Sequence, residues 1–426
     1  MARRSASGVW VASRRELLAL TGGALLAGRA RAEGPAERQF LFLFCDGGWD
    51  PLCVFSPVFG ADGVDMDPLA TLAQAGGISF VDHPQRPAVR AFFERHADRT
   101  AVLNGFEVQS VAHERCQQLL FTGTAGAADD WGAILAGSSA VERLLPQVVV
   151  SGPAWSDQFG DKVVRVGTSG QLPSLLDGSA LARGAHPITP RPADAAARME
   201  AYVQARAAAA ATRARPGWER VIHAGYRDAL ARGASLAAYG DLLSAASPDP
   251  FDLLGQLALA LDCLELGLTR CASVRYLGVW GLGWDTHADN DEVQTMHFEE
   301  LFGHLDELVG ELDTRIGTDG LPLSQSVTVV VCSEMGRDPK LNEWDGRHHW
   351  TYTSAMLFGA GVAGGRVVGA LDGAGRGQAI DPARGDVDAA GVALTSANLG
   401  ATLLQLGGVD PEAWLPGVVP IDALQS

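Results

Sequence analysis

The stretch Val327 to Trp350 holds the residue types best suited to chemistry. An apolar, β-branched run from Val327 to Cys332 predicts a strand buried on both faces, as in parallel sheets. It breaks into Ser333, Glu334, Arg337 and Asp338, and ends at the paired His348 and His349. Ligands of open α/β sheets bind beyond the carboxyl ends of strands. A carboxylate directly off such a strand, with two imidazoles about fifteen residues on, therefore points to a divalent metal site. Three other segments repeat the pattern. Strand-like 39–45 ends at Asp46, where Gly47 and Gly48 permit a tight turn. Strand-like 273–280 runs into a Gly-rich loop with Asp285 and His287 two residues apart, a spacing that suits Zn²⁺ or a similar ion. The segment Ser110 to His113 leads from a short strand at 101–103 into a helix through Phe121, where Ser110 reads as a cap at least as well as a catalytic group.

In a doubly wound sheet these four strand ends converge on one edge. Asp46, Asp285, His287, Glu334, His348 and His349 are then candidate ligands for one or two divalent ions, with Zn, Mn and Ca all open. Two ions would clamp an ester oxyanion and activate the attacking oxygen. Arg337 matches the geometry of phosphate and sulfate, and equally suits an ion pair with Asp338 or Glu343. Trp49, Trp284, Trp344 and Trp350 lie within a few residues of the candidate ligands, as packing or as an aromatic rim.

The chain that must position these groups has 426 residues, 47% of them hydrophobic, enough for a large core. Its net charge of −17 argues against nucleic acid and against an anionic membrane surface as partners. No internal apolar run is long enough to span a bilayer. Further strands are expected at 147–150, 162–166, 354–358 and 366–368. Helices are expected at 88–98, 195–211, 218–230, 251–266, 294–316 and 396–404. His297 and His304 flank the buried stripe of the expected 294–316 helix and read as ordinary helix residues. Residues 152–192 read as a surface excursion, and about 186–245 as a helical insertion. The six cysteines contain no C-x-x-C; Cys45–Cys53 and Cys263–Cys271 are the conceivable disulfides.

At the N-terminus, Ser13-Arg14-Arg15-Glu16-Leu17-Leu18 resembles the twin-arginine export motif. A mildly apolar stretch and Ala30-Arg31-Ala32, an A-x-A cleavage pattern, follow. Residues 1–32 are expected to be a signal peptide, which places the mature protein in the periplasm or otherwise outside the cytoplasm.

The order of the motifs resembles a family of exported, sulfatase-like proteins of unknown function within the alkaline phosphatase superfamily. The resemblance spans roughly residues 38–425. It rests on GGWD at 47–50, GWDTH at 283–287, SE-x-GR at 333–337, GGRVVG at 364–369 and the helix at 396–407. It implies an alkaline-phosphatase-like three-layer α/β/α sandwich with a mostly parallel sheet. It also implies metal ligation by Asp46, by Asp285 with His287, and by the late strand end, where Glu334 replaces the usual Asp and Met335 the usual His. His348 and His349 are the available imidazoles there. The superfamily nucleophile position falls at Ala112 or His113, so either water attacks, or His113 acts as nucleophile or base, or the protein binds a small ester or other anion without turnover.

Overall fold

The structure, a computed structural model, describes residues 37–166, 192–240, 243 and 249–426. The expected signal peptide, most of the 152–192 excursion and the ends of the expected insertion lie outside the described residues.

Eight strands form the main sheet: β1 (Gln39–Cys45), β4 (Thr100–Glu107), β5 (Gln147–Val149), β6 (Val163–Arg165), β7 (Cys271–Tyr276), β8 (Val327–Ser333), β11 (Tyr352–Gly359) and β12 (Arg366–Val368), in the order β12-β4-β11-β8-β1-β7-β5-β6. A two-stranded ribbon, β2 (Thr71–Ala75) and β3 (Ile78–Asp82), and a shorter one, β9 (Gly336–Arg337) and β10 (His349–Trp350), stand apart from it. β1 lies between β7 and β8 and parallel to both. Only β11 runs antiparallel, against β4 and β8. The carboxyl ends of β1, β4, β7 and β8 therefore meet at one edge.

Alternation along β1 shows why the sheet is covered on both faces. Leu41, Leu43 and Cys45 enter one core, with Phe298, Leu301 and Leu305 of the helix Asn290–Thr314 and with Leu257 and Leu261 of the helix Leu253–Glu265. Phe40, Phe42 and Phe44 enter a second core, with Cys116 and Leu120 of the helix His113–Thr122, Trp131 and Ile134 of the helix Trp131–Gly137, and Leu403 of the helix Ser396–Leu406. A strand with large apolar groups at both parities can be satisfied only between two helical layers. The result is a three-layer α/β/α sandwich with a mostly parallel sheet, as expected.

The expected 195–211 and 218–230 helices are observed as Ala193–Arg213 and Trp218–Leu236. The strand expected at 273–280 stops at Tyr276, and Val279–Gly281 is a 3₁₀ turn. Gly278 just before it has a positive φ of 76°, and a Cβ there would lie 2.7 Å from the His297 ring. His297 is fully buried, accepts from Val279 N and donates to Gly283 O. This helix residue thus fixes the loop that carries Asp285. All six cysteines are buried and free, so neither conceivable disulfide forms.

Candidate metal centre

The site is built where β1 and β8 end side by side. Ser333 Oγ sits 2.7 Å from Cys45 O and accepts from Gly48 N and Trp49 N. Glu334, the next residue, is fully buried. Its carboxylate accepts from Gly47 N at 3.0 Å and Gly48 N at 3.2 Å, a concave pair of amides suited to an anion. The cradle requires glycine. Gly47 has φ 128°, and a Cβ on it would lie 2.6 Å from Trp284 N.

His113 is the first residue of its helix, with Ala112 as the N-cap. Ser110 Oγ, the expected cap, instead accepts from Ala112 N at 3.3 Å. Nδ1 of His113 lies 2.8 Å from Glu334 Oε1. A carboxylate can only accept, so Nδ1 donates and Nε2 carries the lone pair when the ring is neutral. That Nε2 is buried and lies 3.4 Å from Asp285 Oδ2, within ion-pair distance when the ring is protonated. Its neighbours Asp285 and Glu334 raise the pKa of His113 to about 10 in the metal-free protein.

His349 repeats the arrangement. The antiparallel β9–β10 pair sets His349 opposite Arg337. Its Nδ1 donates to Val111 O at 2.7 Å, which leaves Nε2 facing Asp285 Oδ1 at 3.0 Å. His287 Nε2 lies 3.1 Å from the same Oδ1 and 3.0 Å from His349 Nε2. A proton or a cation must lie among these three atoms. His113, Asp285 and His349 each offer a ligand atom, all within 4.8 Å of one another, and His287 adjoins two of the three. A tetrahedral ion with bonds near ~2.0–2.1 Å holds its ligands about 3.3 Å apart. The spacings of 3.0–3.4 Å about Asp285 fall in that range. The cluster is also reachable, since the side chains of Asp285 and His287 are 41% and 44% exposed.

Two loops bring these groups together. Arg347 N donates to Thr286 O, Asn342 Nδ2 donates to His287 O, and Gly346 packs so tightly on His287 that a Cβ would lie 2.0 Å from its carbonyl. Gln294 ties Trp284 O and Thr286 Oγ1 to Asp50 N.

The remaining expected residues are placed differently. Asp46 accepts from Gln117 Nε2 at 3.0 Å and pairs with Arg275 at 3.1 Å, so both of its oxygens are engaged. Burial first, then the charge of Glu334, raises its pKa. The Glu334 oxygens are taken up by the glycine amides and His113. His348 is exposed, its ring centroid 5.7 Å from that of His287, and makes no contact of ligand length with the cluster. Arg337 is fully buried. It donates to Gly48 O at 2.8 Å, to Gly47 O, to Arg347 O and to Asp285 Oδ1 at 2.7 Å. It thus pairs with Asp285, neither with Asp338 nor with Glu343, and its donors face the protein. Burial pushes Asp285 upward, but His113, Arg337 and His349 outweigh it and hold the carboxyl well below its ordinary value. Trp49 and Trp284 are buried packing, whereas Trp344 is 61% exposed.

Sequence reasoning missed Arg275, Gln117 and the glycine-amide cradle. Arg275 carried a signal, a lone cation inside the apolar run SVRYLGVW.

The fold and strand-end cluster define a three-layer α/β/α sandwich with a candidate metal centre. A family described as "Protein of unknown function (DUF1501)" matches residues 37–418, and the chain belongs to it. Solved structures resemble it at low identity. Ps i-CgsB, in complex with k-i-k-neocarrahexaose, is 7% identical over 91% of this chain and 75% of that one, with TM-score 0.39. The PsFucS1 sulfatase from Pseudoalteromonas sp. is 12% identical over 96% and 74%, with TM-score 0.35. The phosphonate monoester hydrolase SpPMH from Silicibacter pomeroyi is 12% identical over 91% and 78%, with TM-score 0.34. No curated protein matches the chain in sequence.

Proposed function

We propose that the protein is exported, holds one divalent cation on His113, Asp285, His287 and His349, and hydrolyses phosphate, sulfate or related anionic esters with water as the nucleophile. One observation carries the reading. Three imidazole nitrogens converge on the one Asp285 carboxylate, His113 Nε2 at 3.4 Å, His287 Nε2 at 3.1 Å and His349 Nε2 at 3.0 Å, and the last two lie only 3.0 Å apart. When bound, the cation supplies Lewis-acid polarisation of an ester oxygen. The chain's own residues set the geometry. Glu334 orients His113, Val111 O orients His349 and Arg337 orients Asp285, as outer partners of metal ligands do. The engagement of Asp46 and Glu334 elsewhere supports one ion over two. Three imidazoles and a carboxylate favour Zn²⁺ or Mn²⁺ over Ca²⁺, which takes oxygen ligands. Ala112 at the helix N-cap and the fully engaged Ser333 hydroxyl support water as the attacking group.

Elemental analysis of the purified folded protein is expected to find about one equivalent of a transition metal. Less than a tenth, with no uptake from added Zn²⁺ or Mn²⁺, overturns the metal reading. A panel of aryl phosphates, phosphonates and sulfates tests turnover. Binding without turnover is the second reading, favoured by the burial of Arg337, which takes the expected anion-binding guanidinium out of reach; a metal-loaded protein inert on the panel decides for it. Export is supported by the Arg14-Arg15 motif. Arg14→Lys with Arg15→Lys is expected to leave the precursor in the cytoplasm, and normal export of that variant removes this part of the reading.

A further inference from the structure

The helical hairpin of Ala193–Arg213 and Trp218–Leu236 differs in character from the rest of the chain. Residues 193–236 contain seven Arg and four Asp or Glu, in a chain of formal net charge −17. Basic groups gather at its tip: Arg213, Arg215 and Arg220 lie within eight residues, and the one carboxylate among them, Glu219, pairs with Arg215. The same tip exposes large apolar side chains. Trp218, Val221, Ile222 and Tyr226 are 71%, 72%, 56% and 51% exposed. Their spacing of three and four residues places them on one stripe of the helix. A soluble surface scatters such residues singly; a contiguous stripe is a contact surface. The base of the hairpin is anchored, with Leu236 buried and Arg232 donating to Asp161 O. The tip is the free end.

We infer that this tip docks onto a lipid surface with anionic headgroups. An apolar helix stripe led by Trp and Tyr and flanked by Arg is the chemistry of an interfacial helix. The aromatic rings suit the headgroup boundary, and each nearby guanidinium adds attraction to an anionic leaflet. Charge complementarity holds for the hairpin alone. The acidic remainder of the protein is repelled, so the contact is confined to the tip and the molecule stands off the membrane. No described helix is long and apolar enough to cross a membrane, so the contact is peripheral.

The test is co-sedimentation of the full mature chain with vesicles of phosphatidylcholine alone or mixed with phosphatidylglycerol, at low and high salt. Binding to the anionic vesicles at low salt, weakened by high salt, is expected. W218S/V221S/I222S is expected to lower the partition coefficient by at least about tenfold with unchanged circular dichroism, because the substituted side chains are exposed in the free protein. R213Q/R215Q/R220Q is expected to abolish the preference for phosphatidylglycerol. No binding to anionic vesicles, or equal binding by the apolar triple variant, overturns the inference. So does a lipid-free, concentration-dependent dimer that the apolar triple variant abolishes, since the stripe would then be a self-association surface.

Discussion

Two clusters of ligand-type side chains lie at this end of the sheet, and we propose a cation for only one of them. His113, Asp285 and His349 form the first; Asp50, Cys53 and Asp291 form the second, with ligand atoms equally close. In the second the charge is already matched. Buried Arg347 lies 3.0 Å from Asp50 Oδ2, and Asn290 and Leu52 N donate to the same carboxylate. Burial, and then the charge of Asp50, push the Cys53 thiol well up, so it stays protonated. In the first cluster Asp285 also pairs with buried Arg337, but three imidazole nitrogens crowd onto the same carboxylate, and the exposed Asp285 and His287 side chains open it to solvent. Proximity of ligand types therefore does not define a metal site. A surplus of imidazole nitrogens on one carboxylate, together with access, marks the better candidate.

The comparison can be broken in several ways. Arg347→Met leaves the Asp50 carboxylate buried without its cation, and a loss of about 3–5 kcal/mol is expected in denaturant unfolding. A loss below about 1 kcal/mol would mean the second cluster is not held by that charge pair. Asp285→Asn or His349→Ala removes a proposed ligand, and calorimetric titration is expected to show metal affinity falling more than about 100-fold, beyond what outer partners cost. Saturation of the wild-type protein with metal at about 100 times its dissociation constant is expected to add about 2.7 kcal/mol of stability, reversed by a chelator. That increment should vanish in His349→Ala, and its persistence there would place the ion elsewhere. Glu334→Gln is expected to weaken metal binding by about 10–100-fold through His113 orientation. Asp291→Asn should leave metal content unchanged; a drop in stoichiometry would make the second cluster a metal site after all.

Much of the fold was legible because the periodicities are strong. QFLFLFC and VTVVVCS carry large apolar residues at both parities, which fits strands covered on both faces, and both strands occur within a residue of their expected bounds. The helix Trp131–Gly137 was not foreseen, since seven residues hold too little pattern. The β2–β3 ribbon was missed for the same reason, with exposed Leu72 blurring its alternation. At the site, spacing identified Asp285 and His287 as a pair and His349 as a candidate ligand, while His113 was expected as a cap, nucleophile or base. It could not rank them against Asp46, Glu334 and His348.

The sequence by itself determined the residue types at four strand ends and, through parallel-strand periodicity, that those ends share an edge. It could not determine which oxygens and nitrogens remain free there. That was decided by contacts between segments far apart in the chain: Arg275 and Gln117 on Asp46, the Gly47 and Gly48 amides on Glu334, and Glu334 on His113. Which groups surround a carboxylate, cations and amides or a cluster of imidazoles, is settled over a few ångströms of tertiary packing, which local sequence does not encode.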